Sequence, residues 1–320
     1  EGKSVATRNL WISIPNLLLA FAVWIYWGMV AKYIQQIHFA TGGEVFNFTF
    51  MNGGLPYDDP GYRGLLFLLP AVAGLSGATL RIPNSFMIAI CGGRNVKFMT
   101  SLLLIVPALS TGIALQNPET PFVTLVVLAL ISGVGGGAFA SSMSNISFFF
   151  PKKRQGLALG LNAGLGNLGV SVMQFLIPWV ITFGLFGGVG GEPYRFPADG
   201  GTTEMWIQNA GLVWVPLLVL FAVLAFLFMD NLPFHDVGST PRAVARHLWL
   251  TFLGFVGAGV GVVLLVVPWG SFPELARTFI LVVVAIGITL AGMRYLTPKE
   301  TREGLEEQFG IFKMKHNWIM

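Results

Sequence analysis

The stretch LWISIPNLLLAFAVWIYWGMV, residues 10–30, constrains this chain more than any other feature. It carries no Asp, Glu, Lys or Arg. A helix of about 20 such residues crosses the ~30 Å hydrocarbon core of a bilayer. Seven further apolar runs follow it. Read as helices, the eight lie at about 10–34, 64–92, 98–116, 121–149, 155–186, 206–229, 247–268 and 275–296. Charged residues make up only 11% of the chain and the mean hydropathy is +0.70. A water-soluble domain carries about 25% charged residues. Too little polar surface remains to cover this chain in water. Short alternating segments, the mark of a β-barrel, are absent. The fold class is an all-α, multi-pass membrane protein.

Charge distribution orients the spans, because cytoplasmic loops concentrate Lys and Arg. With the N-terminus in the cytoplasm, the inner side collects Lys3, Arg8, Arg94, Lys97, Lys152, Lys153, Arg154, Arg242 and Arg246, and the outer side Lys32, Arg63, Arg195 and Arg277. Two outer loops, 35–63 and 187–205, are long and rich in turn residues. Residues 1–231 are expected to form one six-helix unit, 232–246 a cytoplasmic linker, 247–297 an added hairpin, and 298–320 a cytoplasmic segment leading onward. The chain opens on EGKSVATRNL, without an initiator Met or signal peptide. It stops at IFKMKHNWIM as another apolar segment begins, so a longer protein is expected. A single cysteine, Cys91, excludes a disulfide framework and a cysteine-only metal site. The four histidines fall near or outside segment ends, and no metal or other cofactor is expected.

Walking the spans, Arg81 in GLSGATLRIPNSFMIAI is the one charge deep within a segment. No Asp or Glu falls mid-span to neutralise it. A charge in the bilayer must be paired or hydrated. A guanidinium stays charged, and its planar fork suits a bidentate oxyanion. Arg81 therefore either awaits an anionic substrate or serves structurally by bonding carbonyls. Pro83 leaves a carbonyl of the preceding turn free and is a candidate kink.

The densest pattern is SGVGGGAFASSMSNISFFFPKKRQGLALGLNAGLGNLGVSV. In its second helix Gly156, Gly160 and Gly164 fall at about 0°, 40° and 80° on the helical wheel, with Asn167 at about 20°. Asn162, at about 240°, points elsewhere. The glycine face is expected to pack closely on a neighbouring helix, with the Asn167 amide as a candidate ligand on it. In the first helix Gly135, Gly136, Phe139 and Ser142 share one face. A flat ring there suits a flat anion. The bland reading makes Phe139 a core or lipid-facing side chain. The cations of FFFPKKRQG set topology or attract anionic lipid.

Three stretches carry a resemblance: SGATLRIPNSF, GGAFASSMSNISFFFPKKRQGLALGLNAGLGNLGVSVMQ and ATRNLWISIPNLLLAF. They are similar to the NarK-type nitrate/nitrite porters of the major facilitator superfamily, over about residues 6–231 and again at KHNWIM. The resemblance implies the N-terminal six-helix bundle of a two-half transporter, plus two additional helices, with the second half not in this chain. It implies that Arg81, in GATLRIP, is one of two anion-binding arginines. It further implies that Phe139 stacks on the anion and that Asn167 hydrogen-bonds it, with Gly136, Gly160 and Gly164 packing helices near the site. GGRNVKF at 92–98 lacks the acid of the superfamily's loop motif, and the hairpin at 247–296 departs from the twelve-helix plan.

The implied activity is secondary transport of nitrate and nitrite across the bacterial cytoplasmic membrane, by exchange, with no enzymatic step. A nitrate/proton symporter and a non-transporting receptor on the same fold are the alternatives. Expected partners are the two anions and membrane lipid, with no nucleic acid, and the protein is expected to be a monomer once the second half is present.

Overall fold

In the computed structural model, residues 2–198, 201–232 and 237–310 are described. Eight helical segments among them are long and apolar enough to cross a membrane, one for each apolar run. The first combines α1 (Gly2–Ile25) and α2 (Trp27–Ala40). It is continued through Tyr26, whose carbonyl accepts from the amides of Met29 and Val30. The others are α3 (Asp59–Cys91), α4 (Gly93–Ala114), α5 (Phe122–Ser132) with α6 (Val134–Phe149), α7 (Lys152–Val180), α8 (Asn209–Leu212) with α9 (Trp214–Phe228), α10 (Thr240–Val266), and α11 (Glu274–Ala291) ending in a π-helical turn. Pro83 does not break α3. A short amphipathic helix, α12 (Lys299–Phe309), follows. The segment KHNWIM lies outside the described residues.

Close helix crossings organise the bundle: α3 against α6, α1 against α7, α4 against α9, and α10 against α3. Glycine makes the first possible. A Cβ on Gly136 would collide with the Gly77 backbone and the Trp24 ring, and one on Gly133 would strike Ser76 and the Gly77 backbone. The α1–α7 crossing uses Gly166 and Gly169, where a Cβ would meet Leu17 and the Leu18 carbonyl. At Gly156, Gly160 and Gly164 a Cβ would touch nothing within 4 Å among the described residues, and their face of α7 is exposed. Spacing alone does not say which of two glycine stripes a neighbour covers.

The α10–α11 pair is not a loose addition. Helix α10 runs antiparallel along α3: Arg246 donates to the Ile90 carbonyl at 3.1 Å, Gly254 packs on Leu80 and Pro83, and Gly261 on Leu75. It begins at Thr240, inside the stretch read as linker. Helix α12 closes the same end through Phe309 on Phe86 at 5.1 Å. On the opposite side the two long loops fold onto each other. The second forms a hairpin, β1 (Tyr194–Ala198) with β2 (Gly201–Met205). Tyr194 meets Phe46 of the first at 5.2 Å and donates to the Leu115 carbonyl at 2.8 Å. The Asp58 carboxylate caps α3, accepting from the Gly61 amide at 2.8 Å.

Candidate functional site

Arg81 projects from the middle of α3 onto an exposed face of the bundle, shared with Ala78 and Ser85. It is mid-helix as expected, yet it is open rather than enclosed. Its Nε donates to the Gly136 carbonyl on α6 at 3.3 Å. The guanidinium carbon lies 5.4 Å from the Phe139 ring centre and 5.7 Å from the Trp24 ring. Phe139 is backed by Phe21, stacked at 5.9 Å. Trp24 is fixed by its own indole N–H, which donates to the Ala73 carbonyl at 2.6 Å. No carboxylate pairs with Arg81 among the described residues. Two rings and one carbonyl hold the fork while leaving its terminal N–H groups free to bind.

Small residues bring these parts together. Gly77 and Gly136 let the indole of Trp24 lie flat between α3 and α6. The Gly136 carbonyl then faces the arginine. Gly136 thus both packs helices and accepts a hydrogen bond from the candidate ligand-binding group. Trp24 and Phe21 were not anticipated from sequence, because on a wholly apolar helix nothing in the spacing distinguishes a ring that faces a charge.

Asn167 sits on the open face of α7 in line with Gly160, Gly164, Ser171 and Gln174, all exposed. Its amide donates to the Ala163 carbonyl at 2.8 Å. No hydrogen bond or ring contact joins it to Arg81 or Phe139 among the described residues. Among the described residues Arg81, Phe139 and Gly136 contact one another, while the one hydrogen bond of Asn167 is to its own helix. The neighbouring amide, Asn162, is buried and donates to the Ser142 hydroxyl at 2.9 Å. That bond ties α7 to α6 and distinguishes the two asparagines: Asn162 bonds across helices and Asn167 only to its own.

Two buried polar groups depart from the sequence reading. Lys97 was placed with the cytoplasmic cations, but α4 begins earlier than expected and Lys97 is only 2% exposed. Its Nζ has no partner among the described residues. His247 lies two turns into α10 rather than at a segment end; it is buried with both ring nitrogens unpartnered.

No family model matches the chain. The nitrate/nitrite transporter NarU of Salmonella typhimurium is 42% identical to it over 280 residues, covering 83% of this chain and 54% of the relative. NarU of Escherichia coli is 43% identical over 282 residues with the same coverage. The probable nitrate/nitrite antiporter NarK2 of Thermus thermophilus is 37% identical over 250 residues, 77% of this chain and 52% of the relative. The chain spans about half the length of these relatives. With this similarity and eight apolar helices in an all-α bundle, the chain belongs to the NarK-type nitrate/nitrite porter family of the major facilitator superfamily.

Proposed function

We propose that the protein containing this chain carries nitrate and nitrite across the bacterial cytoplasmic membrane by alternating access, as an exchanger. Arg81 binds the anion, Phe139 stacks against it, and Asn167 donates a hydrogen bond to it. The observation that carries the reading is the Arg81 guanidinium, seated against two aromatic rings without a carboxylate among the described residues. Its free N–H groups match the planar geometry of nitrate. A substrate anion offsets the charge while the site reorients, so the arginine need not stand unpaired in the barrier.

The names of the relatives support both the substrate and the mode: two are nitrate/nitrite transporters and one is a probable nitrate/nitrite antiporter. None is named as an enzyme. In this reading residues 1–231 form one half of the transporter, with the N-terminus cytoplasmic. The open faces of α3 and α7 border the substrate path, and a second half supplies the opposing arginine. The α10–α11 hairpin braces the arginine helix from its other side.

The deciding experiment measures nitrite efflux from loaded proteoliposomes of the full-length protein at clamped pH. Efflux that requires external nitrate supports exchange. Efflux that is indifferent to external nitrate at clamped pH and appears when a pH gradient is then imposed identifies proton symport. Binding of nitrate without any flux identifies a receptor.

A further inference from the structure

Arg63 and Arg81 lie 18 residues apart on α3, which is five full helical turns and about 27 Å along the axis. They therefore share one face. Phe67, Ala71, Gly74 and Ala78 follow that face between them, and none is charged or fully buried. The first span repeats the arrangement. Trp24, whose ring lies 5.7 Å from the Arg81 guanidinium carbon, is followed in steps of four by Gly28 and Lys32, both exposed. Each such step turns only about 40° around the helix. The two stripes end together: Gly28, Lys32 and Gln35 of α2 and Arg63, Phe67 and Pro70 of α3 line one cavity of about 270 Å³. Asp59 holds the Arg63 fork, accepting from Nε and Nη2 at 3.0 Å each, and offsets its charge. Lys32 has no acid within ion-pair distance among the described residues. Its ammonium lies 5.4 Å from the Tyr33 ring. The cavity thus keeps one uncompensated cation, with an arginine and the Gln35 amide in the same lining.

We propose that this cavity is an entry vestibule of the anion path, where Lys32 and Arg63 collect a small monovalent oxyanion such as nitrate before it passes along the shared face to Arg81. The inference rests on the transport reading above, in which the end of the bundle opposite the N-terminus is the outer one. A cleft with a net charge and low-dielectric walls concentrates counter-ions and speeds their encounter. Gly28, Phe67 and Pro70 supply such walls. The cavity has room for an anion with several waters, each about 30 Å³. That suits a transient collecting point rather than a tight site. A lysine that merely snorkels to water at a span end has no bearing on substrate arriving from one side, and this sets the test.

The experiment measures nitrate transport by the full-length protein in proteoliposomes, with KM determined separately for nitrate on each side. A tag on the N-terminus tells the two sides apart. Lys32→Gln should raise KM for nitrate on the side opposite the N-terminus about 3- to 10-fold, and Lys32→Glu further. The kcat and the KM on the N-terminal side should not change. Lys32→Arg should restore the wild-type value. The difference should shrink in about 0.5 M potassium gluconate, where exposed charges are screened within about 4 Å. Lys32 is exposed, so melting temperatures of these variants should match the wild type. A KM in Lys32→Gln that is unchanged, or raised equally on both sides, overturns the vestibule and leaves the transport reading standing. Absence of nitrate flux in the wild-type protein overturns both.

Discussion

The Arg81 guanidinium carbon lies 5.4 Å from the centre of the Phe139 ring, a contact between α3 and α6. The ring's negative face attracts the cation and leaves the N–H edges of the fork uncovered. Backbone geometry supports the pairing, because the Gly136 carbonyl that receives Nε belongs to the turn preceding Phe139.

Arg81→Lys keeps the charge and removes the planar fork. Nitrate uptake into proteoliposomes is expected to fall about 10- to 100-fold, the weight of a charged hydrogen bond. Membrane insertion should be unchanged. Wild-type uptake by this variant would overturn the site.

Phe139→Ala removes one of the two rings against the guanidinium. Apparent nitrate affinity should weaken about 10-fold, in the range of a cation–π contact. Phe139→Tyr should retain most of it. Nitrate-dependent quenching of tryptophan fluorescence gives the affinities, with Trp24 nearby as reporter.

Asn167 is exposed and bonded only to its own helix. Asn167→Ala should therefore shift stability by less than about 0.5 kcal/mol while reducing nitrate transport. A large loss of thermal stability with no separate loss of transport would assign the amide a structural role.

The two glycine stripes differ in what an added methyl meets. Gly136→Ala drives a Cβ into the Gly77 backbone and Trp24 and should cost about 1–3 kcal/mol. Gly160→Ala meets nothing and should be neutral, or stabilising by up to about 1 kcal/mol through helix propensity. Unfolding of the two purified variants separates them. A transport defect in a fully stable Gly160→Ala would mark the open face as functional.

Gly92 joins α3 to α4 at φ 78°, ψ 147°. The Asn231 amide lies against it and accepts from the Arg94 amide at 3.0 Å. Gly92→Ala meets both strain and collision, at a cost of at least about 1–3 kcal/mol. Asn231→Ala loses only the cap, about 1 kcal/mol. Melting temperatures should fall in that order.

Much of this protein was legible without coordinates. Eight runs without enough charge to remain in water impose eight helices, because no other backbone arrangement satisfies its own hydrogen bonds in lipid. Arg81 stood out for the same reason: one charge in an apolar run is costly and must be paired or hydrated. Helix faces followed from the 3.6-residue period, which placed Asn167 with the open glycines and Asn162 away from them. What lay opposite each face came only from the fold. The period fixes an angle on a helix and carries no information about which neighbour fills it. Hence Gly166 and Gly169, not Gly160 and Gly164, meet α1. Hence too Trp24 reaches Arg81, and Lys97, which reads as a cytoplasmic cation, is buried on α4. Local chemistry determines which segments are helices and which residues are costly to bury, and packing between distant segments decides whether a costly group meets a ring or a carbonyl.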